Sequence, residues 1–168
     1  MTKVSYRRLR EIISYDKSSG LLTSISSRGN LCIGDVVGYT HSSGYNLVKV
    51  DGKLYKAHRL AFLYVEGNFP PNAVDHINGI RDDNRWCNLR HATNSQNQAN
   101  RKIGRNNTSG YKGVCWGKYA KKWAVNIYIS GKRKHVGYYK CKHKAAKAYN
   151  KAALKYHGYF AVLNEVVK

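Results

Sequence analysis

Acidic residues are scarce in this chain: its 168 residues include 9 Asp+Glu against 30 Lys+Arg, a formal net charge of +21. An excess of this size has to be neutralised, and nucleic acid is the leading partner for it. Anionic membrane surface is the other common one. Long apolar runs are also missing. No stretch of about 18 apolar residues occurs, so no membrane span is expected. Residues 1–22 lack the apolar block of a signal peptide. The four cysteines, Cys32, Cys87, Cys115 and Cys141, show no CxxC spacing. A zinc ribbon or disulfide framework is therefore a poor reading. Reduced cysteines suit an intracellular, cytoplasmic protein. A hydrophobic content of 42% is enough for folded cores and argues against wholesale disorder.

The charge is uneven. Residues 1–100 hold 13 Lys+Arg and 8 Asp+Glu, a net of +5, whereas residues 101–168 hold 17 and 1, a net of +16. The shift falls in the short basic, polar stretch 101–107, which reads as a linker. Two domains are expected, 1–104 and 105–168.

In the first half, Leu9, Ile12 and Ile13 give residues 5–14 an apolar stripe at helical spacing. Residues 44–50 alternate, Asp51-Gly52 offers a hairpin turn, and residues 53–56 return. A helix is expected over 57–66, with Leu60, Ala61 and Tyr64 inward and Gly67 as the stop. Pro70 and Pro71 then break the chain.

The next segment carries the chemistry. Val74-Asp75-His76-Ile77-Asn78-Gly79 is followed by Asp82-Asp83-Asn84-Arg85, then Asn88-Leu89-Arg90 and Thr93-Asn94-Ser95-Gln96-Asn97. Thr93 with Gln96 three residues later is a capping box, so a helix starts there. The local plan is strand, loop, strand, helix. Phosphodiester cleavage needs a base for water, and His76 titrates in the right range. It also needs a divalent cation, which prefers oxygen ligands such as the Asp75 carboxylate and the Asn97 carbonyl. On a regular strand Asp75 and His76 point to opposite sides, so a distortion is needed to aim both at one phosphate. Asn88 is a candidate to fix the imidazole tautomer. Asn84 reads as a turn residue.

Asp75-His76, Asn88 and Asn97, with the surrounding Asp-His-Ile-Asn-Gly and Asn-Leu-Arg words, resemble the HNH nuclease motif of phage and intron homing endonucleases. The resemblance covers about 45–102, with a β-rich extension before it. It implies a ββα-metal fold, with Asp75 and Asn97 as metal ligands, His76 as general base and Asn88 orienting it. It further implies one Mg²⁺ or Mn²⁺ ion, and a cytoplasmic site in the bacterial host if the protein is phage-encoded. Arg81, Arg85 and Arg90 cluster around the site in sequence and are candidate phosphate clamps. His58-Arg59 reads either as a DNA-backbone contact or as a packed His beside a surface Arg. His91 reads as structural or phosphate-facing.

The basic half reads as three strands and a helix: 110–116, 123–129, 134–139 and 142–156. Trp123, Val125, Ile127 and Ile129 form one face of the middle strand, with Asn126 and Tyr128 on the other. Ser130-Gly131-Lys132 is a hairpin turn. Ala145, Tyr149, Ala152 and Tyr156 make a narrow helix stripe suited to close packing on a sheet, with Gly158 as the stop. The free sheet face is polar and cationic and suits a major groove. Ser109-Gly110-Tyr111-Lys112-Gly113-Val114, Lys122-Trp123-Ala124-Val125-Asn126-Ile127 and Val136-Gly137-Tyr138-Tyr139 resemble the Apetala-type DNA-binding domain of plant ethylene-response factors. That resemblance implies DNA contacts from the sheet, with Arg133 and His135 at base-reading positions, Tyr128 where an Arg would stand, and Cys115 and Gly117 in place of Arg residues. Lys112, Lys118, Lys121, Lys122 and Asn126 complete the candidate DNA-binding set.

The expected fold class is α+β: a ββα-metal nuclease domain followed by a three-stranded antiparallel sheet packed on one helix. The expected function is metal-dependent endonucleolytic cleavage of double-stranded DNA by a phage or mobile-element protein, acting as a monomer and without membrane association. A non-catalytic DNA-binding protein with a relic nuclease fold, and an RNA-binding protein, are the alternatives.

Overall fold

The computed structural model describes residues 3–166. They divide into two compact units, 1–92 and 93–168.

In the first unit, α1 (Tyr6–Ile12) starts at Ser5, whose hydroxyl accepts from the Arg8 N–H. This helix buries Leu9 and Ile12. β1 (Ile13–Tyr15) and β2 (Leu22–Ser24) form an antiparallel pair. A three-stranded sheet follows, with β4 (Asn46–Val50) between β3 (Tyr39–Thr40) and β5 (Lys53–Lys56). Asp51 (φ 46°) and Gly52 (φ 80°) are both left-handed, which is what a two-residue hairpin turn demands. α2 (Ala57–Glu66) ends at Gly67, whose φ of 78° lets its N–H reach Leu63 O. The helix is more deeply buried than its stripe predicts. His58, Phe62 and Leu63 join Leu60 and Ala61 inside, and Tyr64 stays half-buried. β6 (Ala73–His76) and β7 (Leu89–Ala92) then make the antiparallel hairpin of the candidate site. Among the described residues no helix is long and apolar enough to cross a membrane.

The β6–β7 connection, residues 77–88, is held from the N-terminal segment. Tyr15 donates its hydroxyl to Asn84 O at 2.6 Å, and Trp86 N–H donates to Lys17 O at 2.9 Å. Gly20 sits so close that a Cβ there would lie 2.4 Å from the backbone of Asn84 and Arg85. Residues 13–20 therefore brace the loop.

In the second unit, α3 (Asn94–Ala99) opens with the expected capping box between Thr93 and Gln96. β9 (Lys122–Ile129) lies between β8 (Val114–Gly117) and β10 (Lys132–Tyr139), all antiparallel. α4 (Lys142–His157) packs on this sheet through Ala145, Ala146, Tyr149, Ala152 and Ala153, against Val114, Val125 and Ile127. The small residues allow a close approach. At Gly113 a Cβ would meet the Tyr149 ring at 2.1 Å. β8 begins later than expected, because Gly110 (φ 77°) and Gly113 (φ 74°) turn the chain. Ser109 Oγ then closes that turn on Val114 O at 2.8 Å. The units divide after Ala92, ahead of the expected linker at 101–107. One physical reason is Lys112, whose ammonium donates to Ala99 O and Arg101 O and so ties α3 and the linker to the sheet module.

Candidate active site and nucleic-acid interface

Asp75 and His76 are both buried, at 2% and 5% exposure. They nevertheless face different neighbours, as alternation along a strand requires. Across the hairpin Asp75 is partnered by Arg90, and the guanidinium donates to Asp75 Oδ2 from Nε (2.8 Å) and reaches the same oxygen from Nη2 (2.7 Å). His76 turns towards α2 and the loop. Its ring lies 5.0 Å from that of His58, edge to face, and 6.1 Å from that of Tyr45. His76 Nε2 is 3.3 Å from Asn84 Oδ1. The amide oxygen only accepts, so this contact favours the tautomer protonated at Nε2. Burial holds the imidazole below the ordinary histidine range, opposed by the Asn84 hydrogen bond and by the Asp75, Asp83 and Asp82 carboxylates.

Asn88 acts on the loop. Its Oδ1 accepts from the Asn78 N–H at 3.0 Å, and its Nδ2 donates to Asp83 O at 2.8 Å. These two bonds cross-brace the turn that carries Asn84. Asn84 is thus more than a turn residue. Its identity as a partner of His76 had no signal in the spacing, because Asp82-Asp83-Asn84 reads as turn chemistry in any loop. Asn97 lies in α3, half-buried, with its N–H donating to Thr93 O at 2.9 Å.

The arginines expected to clamp phosphates are engaged with the protein. Arg59 donates to Asn72 O (3.0 Å) and Pro70 O (2.8 Å), closing the loop after α2. Arg81 donates to Ser43 O at 2.7 Å and lies over the Tyr45 ring. Arg85 forks onto Asp83, which draws that carboxyl down to about 2. Arg90 holds Asp75. His91 is structural: it bonds Glu66 at 2.9 Å and packs its ring on Phe62.

His58 resolves into its packed reading. It is 5% exposed, and burial, with His76, Lys56 and Arg59 nearby, lowers its pKa from 6.5 to about 3. In the unfolded chain it takes up a proton near 6.5; in the folded chain it does so only near 3. The unfolded state binds more protons across that window, so stability is expected to fall as pH drops from 6.5 towards 3, by up to about 1.4 kcal/mol per pH unit from this group. Urea unfolding at pH 7, 5.5 and 4 checks it. His58→Phe should flatten the slope, and an unchanged slope would refute the assignment.

In the second unit the candidate DNA-binding residues separate. Lys112 is turned inward onto backbone carbonyls, and burial lowers its pKa to about 8. Lys118, Lys121, Lys122, Tyr128, Arg133 and His135 are exposed, with Asn126 half-buried among them. The sheet face away from α4 presents Cys115, Asn126, Tyr128, Arg133, His135 and Tyr138. Trp123 lies on the other face, edge to face with Trp116 at 5.1 Å.

Residues 55–99 match the HNH endonuclease family. The HNH segment so defined runs from β5 through α2, β6 and β7 to the end of α3. Protein 3.8 of Escherichia phage T7 is 37% identical over 60 residues, covering 36% of this chain and 50% of that protein. The AP2-like ethylene-responsive transcription factor TOE2 of Arabidopsis thaliana is 35% identical over 63 residues, covering 38% of this chain and 13% of that protein. The chain thus spans half or less of these curated relatives. A solved structure described as DNA binding and cleavage by the HNH homing endonuclease I-HmuI aligns at a TM-score of 0.43 and 19% identity, covering 94% of this chain and 91% of that one.

Proposed function

We propose that this chain is a metal-dependent endonuclease that hydrolyses phosphodiester bonds of duplex DNA, of the phage or mobile-element homing type. The observation that carries the reading is His76. It is buried in the HNH segment, its Nε2 lies 3.3 Å from Asn84 Oδ1, and burial holds its pKa below the ordinary histidine value. A base in this state takes the proton of an attacking water without first losing one of its own. Asn88 and Tyr15 are positioning residues, because they hold the loop that presents Asn84.

Asp75 offers a carboxylate oxygen in the first unit, and Mg²⁺ or Mn²⁺ commonly rests on one or two protein oxygens, with water and phosphate completing its shell. Among the described residues, no three His, Cys, Asp or Glu side chains gather as a metal-holding group. Once bound, the ion would stabilise charge on the phosphate and the leaving oxygen. Arg90 meanwhile holds Asp75 in place.

The grip on DNA falls to the exposed cations and polar groups of the second unit: Lys118, Lys121, Lys122, Asn126, Tyr128, Arg133 and His135. An Apetala-type sheet laid in the major groove is the mode we propose, in which phosphate neutralisation supplies most of the affinity. Arg59, Arg81, Arg85, Arg90 and Lys112 serve the fold in this assignment. The test is a supercoiled-plasmid assay with full-length protein. Nicked product is expected in Mg²⁺ or Mn²⁺, as from a monomer cutting one strand, with none in EDTA. Intact plasmid in both metals would overturn the nuclease reading in favour of a DNA-binding protein with a relic site.

A further inference from the structure

The outer face of the β8–β9–β10 sheet carries a hydrogen-bonded row of side chains at its centre. Asn126, in the middle strand, donates from Nδ2 to Cys115 Sγ at 3.7 Å on β8. Its Oδ1 lies 3.3 Å from His135 Nδ1 on β10, its cross-strand partner. His135 in turn packs its ring 4.5 Å from that of Tyr138. With a neighbour on each adjacent strand, the plane of the amide is held across the sheet. One N–H and one lone pair of Asn126 are used by these contacts. The second N–H and the second lone pair lie side by side in the amide plane.

Such a donor–acceptor pair matches one base edge in the major groove. Adenine presents an N7 acceptor beside an N6 donor, whereas guanine presents two acceptors, N7 and O6. The surroundings favour the same base pair. Cys115 and Ala124 occupy one cross-strand pair beside Asn126, with Tyr138 opposite, and these apolar or aromatic groups suit a thymine methyl. No arginine stands in the centre of the face. Arg133 sits at its hairpin end, opposite Tyr128. A cleft of about 420 Å³ is lined by Asn126 and Tyr128 together with the cations Arg101, Lys112 and Arg133. Cations beside a base-edge reader are what a flanking phosphate requires.

We infer that Asn126 is the specificity-determining residue of the second unit and reads adenine of an A·T pair in duplex DNA, oriented by Cys115 and His135. The inference rests on the proposed DNA-binding role of this sheet and deepens it. Arg101 and Arg133 hold the neighbouring backbone and add affinity without sequence preference.

Binding-site selection from random duplexes, run on the full chain in EDTA so that binding is read without cleavage, tests this. Wild type is expected to fix one A·T position, with a discrimination of about five- to 150-fold over other pairs. Asn126→Ala should level that position and leave the others and the salt slope unchanged. Asn126→Asp, which only accepts, should move the preference to cytosine, whose N4 donates. Arg133→Gln should weaken all duplexes alike. An unchanged preference in Asn126→Ala, with duplex binding intact, would overturn the inference alone. A wild-type chain that binds no duplex would overturn the DNA-binding reading, and this inference with it. Circular dichroism on each variant confirms that the sheet is folded.

Discussion

Replacing His76 with alanine is expected to cut plasmid nicking by about 10²- to 10⁴-fold, the usual contribution of a positioned proton acceptor. DNA affinity, read by gel shift in EDTA, should hold, because the exposed cations of the second unit are untouched. In the proposed mechanism His76 takes the proton of water while Asn84 holds its Nε2, and His58 is packed edge-on against the same ring. His76→Asn is a useful companion, since it preserves polarity and much of the volume while lacking a titratable nitrogen. It should be nearly as inactive. Nicking by His76→Ala at the wild-type rate would remove the base assignment while leaving the fold description intact. Because His76 is buried, thermal unfolding of both variants separates a chemical effect from a folding one.

Replacing Arg90 with leucine is expected to destabilise the first unit by about 3–5 kcal/mol, the cost typical of leaving a buried charge without its partner. Asp75 is 2% exposed, and Arg90 meets its Oδ2 twice, at 2.8 and 2.7 Å. Removing the guanidinium strands the buried carboxylate between two strands without that ion pair. Urea denaturation of wild type and variant at one pH measures this. Arg90→Lys should fall between, since a single ammonium cannot reproduce the fork. A phosphate clamp would behave differently: Arg90→Leu would weaken DNA binding with the midpoint unmoved. That outcome would return Arg90 to the DNA-contact set.

The arginines show where reading residue types stops being enough. Arg59, Arg81, Arg85 and Arg90 sit close in sequence to the Asp75-His76 pair, and a cation near a presumed phosphate site reads as a clamp. What each one bonds depends on carbonyls and carboxylates brought close by the chain's path: Pro70 O for Arg59, Ser43 O for Arg81, Asp75 for Arg90. Lys112 is the same case in the second unit, with its partners at the end of α3. Long flexible side chains satisfy whichever acceptor the fold supplies, and no local rule names it.

What the amino-acid sequence determined alone was everything set by local periodicity and turn chemistry. The limits of α2 follow from its apolar spacing and Gly67, and the β4–β5 hairpin from Asp51-Gly52. The capping box at Thr93 follows from a four-residue word, and the order of strands and helix in the basic module from alternation and the small-residue stripe of α4. The charge asymmetry was equally legible, since it needs only counting. The tertiary structure decided that Asn84 meets His76, because Asn84 reaches it only through a loop pinned by Tyr15 and Asn88. It decided that His58 is buried, and that Asn126 is held between Cys115 and His135 on neighbouring strands. Each of these depends on groups eight to 69 residues apart meeting within hydrogen-bond or packing distance, and hydrogen bonds are too short-ranged and directional to be inferred before the chain has closed.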